Sequence, residues 1–282
     1  MQCEKLEFDH KNILHEKLKN VDTPIAEYSF ANLYLFRNIH DYRVVNDENV
    51  FIKGQSVDGY TFLMPTNNPS EIDMEYLREI SKKVDFIFPV DEQWLQYFGK
   101  DIVYSNFEGE TDYIYTVDKI STYKGRKLHK KRNLLKQFLR DYSFECHPLT
   151  DKNVHDAFEI LDVWQNEIDL SPEETDFYAC QEALNMHDEL VLCGLIYYVE
   201  GEPAGFIMGE ELNTETFVIH FAKGKKNIKG IYQFIYNDFA KRLPKKYNYL
   251  NFEQDLGKTA LRIAKSSYVP DIMYKKFRVK ML

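Results

Sequence analysis

The sequence predicts an α+β chain built twice on one plan, each half a mixed central sheet flanked by helices. Three observations carry that expectation. The stretch from Leu190 to Tyr268 reads as three turn-linked strands, a glycine-bearing loop, an amphipathic helix, a fourth strand and a short helix. The preceding half offers the same kinds of element in the same order. A basic segment then falls between the two runs, which puts the join near residues 118–142.

In chain order, LEFD (6–9) reads as a strand, with Asp9 placed to cap the helix HKNILHEKLKN. Asp22-Thr23-Pro24 breaks that helix, and EYSFANLYLFRNI forms a second one with Phe30, Leu33, Leu35 and Phe36 on its apolar face. YRVVN, NVFIKG and YTFLM are three short strands. Ser70 is placed to cap the helix EIDMEYLREISKK, VDFIFPV is a strand, DEQWLQYF a short helix, and DIVYSNFEGETDYIYTV one or two strands. The second half opens on the strand FECHPL. Asp151 is placed to cap KNVHDAFEILDVWQNEI, and Ser171-Pro172 starts TDFYACQEALNMH. LVLCGLIYYVE, PAGFIMGEEL and TETFVIHFA are strands linked at Gly201-Glu202 and Asn213-Thr214. Gly224 and Gly230 bracket the loop KGKKNIKG. In IYQFIYNDFAKRL, Ile231, Phe234, Ile235, Phe239 and Leu243 recur at helical spacing. YNYLNFE is a strand, GKTALRIAKSSY a short helix with Leu261 and Ala264 toward the core, and DIMYKKFRV a final strand.

Composition narrows the function classes. The chain has 282 residues, enough for two ordinary domains, and its 20 Tyr and 20 Phe supply a large core. No apolar run approaches the roughly 20 residues of a membrane-spanning helix, and MQCEKLEFDH lacks the apolar centre of a secretory signal. Cys3, Cys146, Cys180 and Cys193 have neither metal-site nor disulfide spacing, so no metal is expected and a cytoplasmic location is. The net charge of −9 argues against indiscriminate polyanion binding. Between Lys124 and Lys136, however, stand seven Lys or Arg residues, His129 and no acid. That block reads either as a solvated helix face or as an anion-binding surface.

Several phrases carry a resemblance to a known family: AEYSFANLYLFR (26–37), DYIYTVDKISTYKGRKLHKKRN (112–133), GEPAGFIMGEELNTETFVIHFAKG (201–224) and NFEQDLGKTALRIAKSSYVP (251–270). Together they resemble the family named for the C-terminal domain of phosphatidylglycerol lysyltransferase, related to the Fem-type aminoacyltransferases. The order of elements is likewise similar to the core of the GNAT-type N-acyltransferases. The resemblance implies a tandem duplicated GNAT-like fold, divided as an N-terminal domain over 1–120, a basic connecting helix over 121–142 and a C-terminal domain over 143–282. It implies transfer of an acyl or aminoacyl group from an activated donor, an acyl-CoA or an aminoacyl-tRNA, to an amine or hydroxyl acceptor. The acceptor class is a small molecule, a peptide or a lipid head group, with tRNA as a further partner and no tightly bound cofactor. This chain lacks the multi-helix membrane portion of the family's named member. The alternative is a non-catalytic module that keeps the cleft for an anionic ligand such as a nucleotide, RNA or lipid head group.

The candidate catalytic residues are Glu253 and Asp255, expected to alternate outward from one strand edge, with Tyr268 as an acid for the leaving group. The alternative for the acids is that they merely end the strand, with Asp255 capping the next helix. Arg262 and Lys265 share a helix face and are candidates for a donor phosphate or for pairing with those acids. Lys229, Gly230 and Ile231 stand where a pyrophosphate cradle belongs, though bulky Ile231 replaces a small residue and makes ordinary acetyl-CoA use a poor fit. Arg126, Lys127, His129, Lys130, Lys131 and Arg132 are the candidates for an RNA, CoA phosphate or head group. His220, alone on an apolar strand, reads as a hydrogen-bonded core residue, and Trp94 and Trp164 read as packing.

Overall fold

The structure, a computed structural model, describes residues 2–282. In chain order its elements are β1 Gln2–Lys5, α1 Lys11–Lys19, α2 Phe30–Leu35, β2 Arg43–Asn46, β3 Val50–Gln55, β4 Thr61–Pro65, α3 Met74–Ser81, β5 Phe86–Val90, β6 Ile102–Asn106 and β7 Asp112–Thr116. There follow α4 Val117–Thr122, α5 His129–Asp141, β8 Phe144–Pro148, α6 Val154–Asn166, α7 Phe177–Asn185, β9 Cys193–Val199, β10 Glu202–Glu211, β11 Thr216–Gly224, α8 Ile231–Arg242, β12 Tyr249–Asn251, α9 Thr259–Ser266, β13 Ile272–Tyr274 and β14 Phe277–Met281. Short 3-10 turns join several of them.

The strands form two seven-stranded sheets, ordered β1-β2-β3-β4-β5-β14-β6 and β8-β9-β10-β11-β12-β7-β13. Both contain one parallel pair at the same place, β4 with β5 and β11 with β12. Three antiparallel strands followed by a parallel fourth is the repeated plan the sequence predicts. In each sheet the sixth position is taken by a strand from the other half of the chain, β14 in the first and β7 in the second. Compact units therefore interleave along the chain. One runs up to Asp112 and adds Gln254–Arg262 and Met273–Leu282; the other is Tyr113–Glu253 with Ile263–Ile272. The linear division expected at 120 and 142 differs from this because pairing of β7 and β14 is decided by partners distant in sequence.

Several local expectations are corrected. The first strand lies at Gln2–Lys5, before LEFD, and α1 is preceded by the 3-10 turn Phe8–His10, so Asp9 caps nothing there. Asp73 rather than Ser70 caps α3, its side chain accepting from the Tyr76 amide. Asn153 rather than Asp151 stands at the N-cap of α6. The tail DIMYKKFRV is two strands in different sheets. No residue of α9 is buried, so Leu261 and Ala264 do not reach a core.

The expected connecting helix belongs to the second unit. Leu128, Leu135 and Phe138 of the basic segment are buried in its core, and Phe138 stacks on Phe234 of α8 at 4.2 Å. Gly230 marks how close α5 comes. Its φ is +86°, and an added Cβ would lie 2.6 Å from the Leu134 carbonyl oxygen, so both conformation and space require glycine.

Candidate functional site

A buried ionic cluster organises the first unit. Glu27 sits in the 3-10 turn Ala26–Tyr28, within a run buried from Ile25 to Leu35. A carboxylate there needs a partner, because an unpaired buried charge is prohibitively costly. The partner is Lys276, whose side chain is fully buried. Its Nζ donates to Glu27 Oε1 and Oε2 at 2.7 and 2.8 Å, to Asp112 Oδ1 at 2.9 Å and to Gln254 Oε1 at 2.9 Å. Asp112 Oδ2 accepts from the Ala26 amide at 3.0 Å, which fixes the turn that carries Glu27. A second cation, Arg278, donates to both oxygens of Glu110, at 2.9 and 2.5 Å, and to both oxygens of Asp58, at 2.7 and 2.9 Å.

Four carboxylates thus face two cations, and part of the cluster lines a cleft. Glu27, Glu110, Gln254 and His40 form its polar wall, while Tyr42, Phe62 and Phe88 form its apolar one. The enclosed part has room for about one water-sized group. Burial pushes the Glu27 carboxyl up to about 7, against the opposing pull of Lys276. Glu110 is also raised, again chiefly by burial, despite Arg278. Burial lowers His40, whose Nδ1 lies 2.9 Å from the Gln55 carbonyl oxygen. None of Glu27, Glu110, Asp112, Gln254, Lys276 or Arg278 was singled out from the sequence. The available signal was an acid inside the apolar run IAEYSFANLYLF, which has to be neutralised from elsewhere in the chain.

In the second unit, β11 extends to Gly224 while its parallel partner β12 pairs only as far as Asn251 with Val218. Where the pairing ends, His220 is held between two carboxylates. Nδ1 lies 2.7 Å from Glu253 Oε1 and Nε2 3.0 Å from Glu210 Oε1, with the imidazole completely buried. Burial alone would lower its pKa, but the two carboxylates outweigh that and raise it to about 10. The folded chain therefore binds a proton between pH 6.5 and about 10 that the unfolded chain releases. This contribution is complete below about pH 6.5 and is lost as pH rises through about 10. The free energy of unfolding from urea titrations should fall by an amount on the order of a few kcal/mol across that window. His220→Gln should be less stable at neutral pH and should show a flatter profile; an unchanged slope would assign the alkaline lability to other groups.

The predicted site residues fall into separate local arrangements. The strand ends at Asn251, and left-handed backbone at Glu253, Leu256 and Gly257 replaces the expected outward alternation. Glu253 joins His220. Asp255, fully buried in the first unit, accepts from the Gly257 amide at 2.8 Å and from Arg262 Nε and Nη2 at 2.8 and 3.2 Å. Arg262 also reaches Glu108 at 3.0 Å, which makes this a salt-bridged turn. Lys265 accepts from the Tyr115 hydroxyl through its carbonyl oxygen. Tyr268 is buried, accepts from Gln233 Nε2 at 3.1 Å and lies beneath Lys131, whose Nζ is 3.8 Å from the ring centre. Burial raises the Tyr268 phenol and lowers Lys131 to about 8.

Four amides of the loop before α8 are taken by the protein's own acceptors. The amides of Lys225, Ile228 and Ile231 donate to backbone carbonyls, and that of Lys226 donates to the Glu167 carboxylate at 3.0 Å. Lys225 pairs with Glu159, and Ile231 is buried, leaving Lys229 exposed beside Gly230. On the basic segment, Arg126, Lys127, His129 and Lys130 are exposed. Arg132 instead turns inward onto the Tyr123 and Gly125 carbonyls. Trp94 is core packing, whereas Trp164 carries Lys223 Nζ 3.4 Å above its ring.

Two mixed sheets that each open beside a parallel fourth strand define a tandem GNAT-like protein. The chain belongs to the phosphatidylglycerol lysyltransferase C-terminal family, whose sequence model matches residues 19–280. Among solved structures it is similar to a conserved protein of unknown function from Bacteroides thetaiotaomicron, at 26% identity over all of both chains with a TM-score of 0.86. It is also similar to the C-terminal domain of a putative lysylphosphatidylglycerol synthetase from Agrobacterium fabrum, at 14% identity over 94% of this chain and 91% of that one, TM-score 0.60. FemX matches over all of this chain and 98% of its own, at 9% identity and a TM-score of 0.62. The last two likenesses concern the fold alone. No helix among the described residues is long and apolar enough to cross a membrane.

Proposed function

We propose that this chain is an aminoacyltransferase that moves an aminoacyl group from an ester donor of the aminoacyl-tRNA type to an amine acceptor. The observation that carries the reading is the cleft of the first unit. Its enclosed part suits one water-sized group, and an ammonium is of that size; its walls carry Glu27 and Glu110 within a cluster of net negative charge. A hydroxyl acceptor gains little from such walls. An amine enters as its ammonium, is held by the carboxylates, and gives a proton to Glu27, whose pKa of about 7 suits that transfer. The nitrogen then forms a bond to the donor carbonyl carbon, the ester C–O bond breaks, and the leaving oxygen takes up a proton.

The loop before α8 favours an ester donor over acyl-CoA. A CoA pyrophosphate is ordinarily received by backbone amides at such a loop. Here the amides of Lys225, Lys226, Ile228 and Ile231 are already accepted by protein oxygens. Family membership and the exposed cations Arg126, Lys127 and Lys130 are consistent with a tRNA-borne donor.

The test is a transfer assay with tRNA charged with labelled amino acids, an amine panel, and acetyl-CoA in parallel. Label should appear in an alkali-stable amide, with no turnover of acetyl-CoA. Turnover of the thioester alone, or products that are esters, would overturn the reading. The exposed cations also favour a second reading, a non-catalytic anion-binding module, and RNA retained without any transfer is the result that selects it.

A further inference from the structure

The turn that leads into α6 and the turn that leaves α7 bring together Asp151, His187 and Asp188. We propose that these three side chains bind a divalent transition-metal cation, with zinc as the reference ion. The imidazole of His187 is almost wholly buried, its side chain 7% exposed, while the carboxylates of Asp151 and Asp188 stand in solvent at 84% and 79%. Nδ1 lies 3.1 Å from the Leu184 carbonyl oxygen. A carbonyl only accepts, so Nδ1 carries the hydrogen, and in the neutral ring Nε2 presents its lone pair. Such a carbonyl partner commonly orients a metal-binding imidazole. Nε2 makes no hydrogen bond of its own and faces Asp151 Oδ1 and Asp188 Oδ1, each at 3.6 Å.

Those separations suit an ion better than a direct contact. They exceed a hydrogen bond. With donor-to-zinc distances of about 2.1 Å, a 3.6 Å separation subtends roughly 120° at the metal, near the tetrahedral value of about 109°. All three ligand atoms lie within 4.8 Å of one another. Bringing the two carboxylates slightly closer requires only rotation of exposed side chains. The backbone beneath is held: the Thr150 amide donates to Asn153 Oδ1 and Asn153 Nδ2 to the Pro148 carbonyl oxygen, while the Leu192 amide donates to the His187 carbonyl oxygen at 2.7 Å. One imidazole with two carboxylates selects zinc, manganese or nickel over magnesium, which prefers oxygen alone. Three protein ligands leave a coordination position for water.

The experiment titrates untagged, chelator-treated protein with zinc chloride by calorimetry and follows its melting temperature. One equivalent should bind per chain, with a rise in melting temperature. Because Asp151 and Asp188 are exposed, the double variant Asp151→Asn, Asp188→Asn folds, and it should lose more than about tenfold in zinc affinity together with the thermal shift. His187→Gln, checked for folding by circular dichroism, should behave alike. Zinc bound equally well by the double variant would place the ion elsewhere and overturn the proposal. So would no binding at millimolar zinc, with nitrogen chemical shifts that show an imidazolium paired to the two aspartates.

Discussion

Lys276→Met should lower the free energy of unfolding by about 3–5 kcal/mol at neutral pH and above, among the largest effects a single replacement can have here. The loss does not measure the strength of an ion pair. It measures what remains afterwards: Glu27 and Asp112, 4% and 0% exposed, with no cation between them. Methionine fills much the same volume, so a cavity contributes little. The pH dependence separates these causes. Burial already holds Glu27 up to about 7, with Asp112 raising it and Lys276 lowering it. Removal of Lys276 pushes Glu27 higher still. A carboxyl with a raised folded pKa contributes stability that is complete below its unfolded value and is lost as pH rises through the folded one. The variant should therefore recover much of its deficit toward pH 4.5, where the Glu27 carboxyl takes up its proton. Denaturation curves near pH 5 and pH 8 decide the matter. An equal deficit at both would mean that packing, not uncompensated charge, was lost. Adding Glu27→Gln to Lys276→Met should return part of the stability, since only one buried acid then lacks its cation.

What the sequence revealed and what it hid divide along one physical line. Periodicity and turn chemistry act over a few residues, and the elements they specify were read in the right order, including three strands, loop and helix between Leu190 and Leu243. The exchange of β7 and β14 was hidden, because nothing in DYIYT or FRVKM says which sheet will take it. The two strands of DIMYKKFRV merged for a related reason: Lys275 and Lys276 look like an ordinary polar stretch until Lys276 is seen to be buried. The same limit governs the site. Glu253 and Asp255 stood out because they lie two residues apart at a strand end, yet the chain sends one to His220 and the other to Arg262. The cluster of Glu27, Asp112, Gln254 and Lys276 draws on four segments of the chain, and no local pattern joins them. In the basic segment the charges were obvious, but that its apolar residues belong to the core beside α8 follows only from packing. His220 was read as a hydrogen-bonded core residue, and it is one, though its partners are carboxylates that keep it charged.

Glu27→Gln should cut aminoacyl transfer by about a hundredfold to ten-thousandfold while leaving the chain folded. Glutamine preserves shape, and Lys276 keeps Asp112 and the Gln254 carbonyl as acceptors, so no buried cation is stranded. Folding should suffer much less than in Lys276→Met. The chemistry should suffer more, because an amide cannot take the proton of an attacking amine. A pH profile identifies the group. With wild type, the rate at saturating donor should rise with pH and level off above about 7, the value to which burial lifts Glu27. The residual rate of the variant should lose that inflection. A profile that keeps it would mean that another group titrates. The competing location is the second unit, where the sequence pointed to Glu253. That carboxylate is engaged at 2.7 Å by the buried His220 imidazole, whose pKa is raised to about 10, so it serves as the partner of a buried cation. Glu253→Gln should accordingly weaken folding through His220 and spare the rate of whatever remains folded. The reverse pattern, with Glu253→Gln inactive and Glu27→Gln near wild type, would move the base to the second unit and remove the first-unit cleft from the reaction.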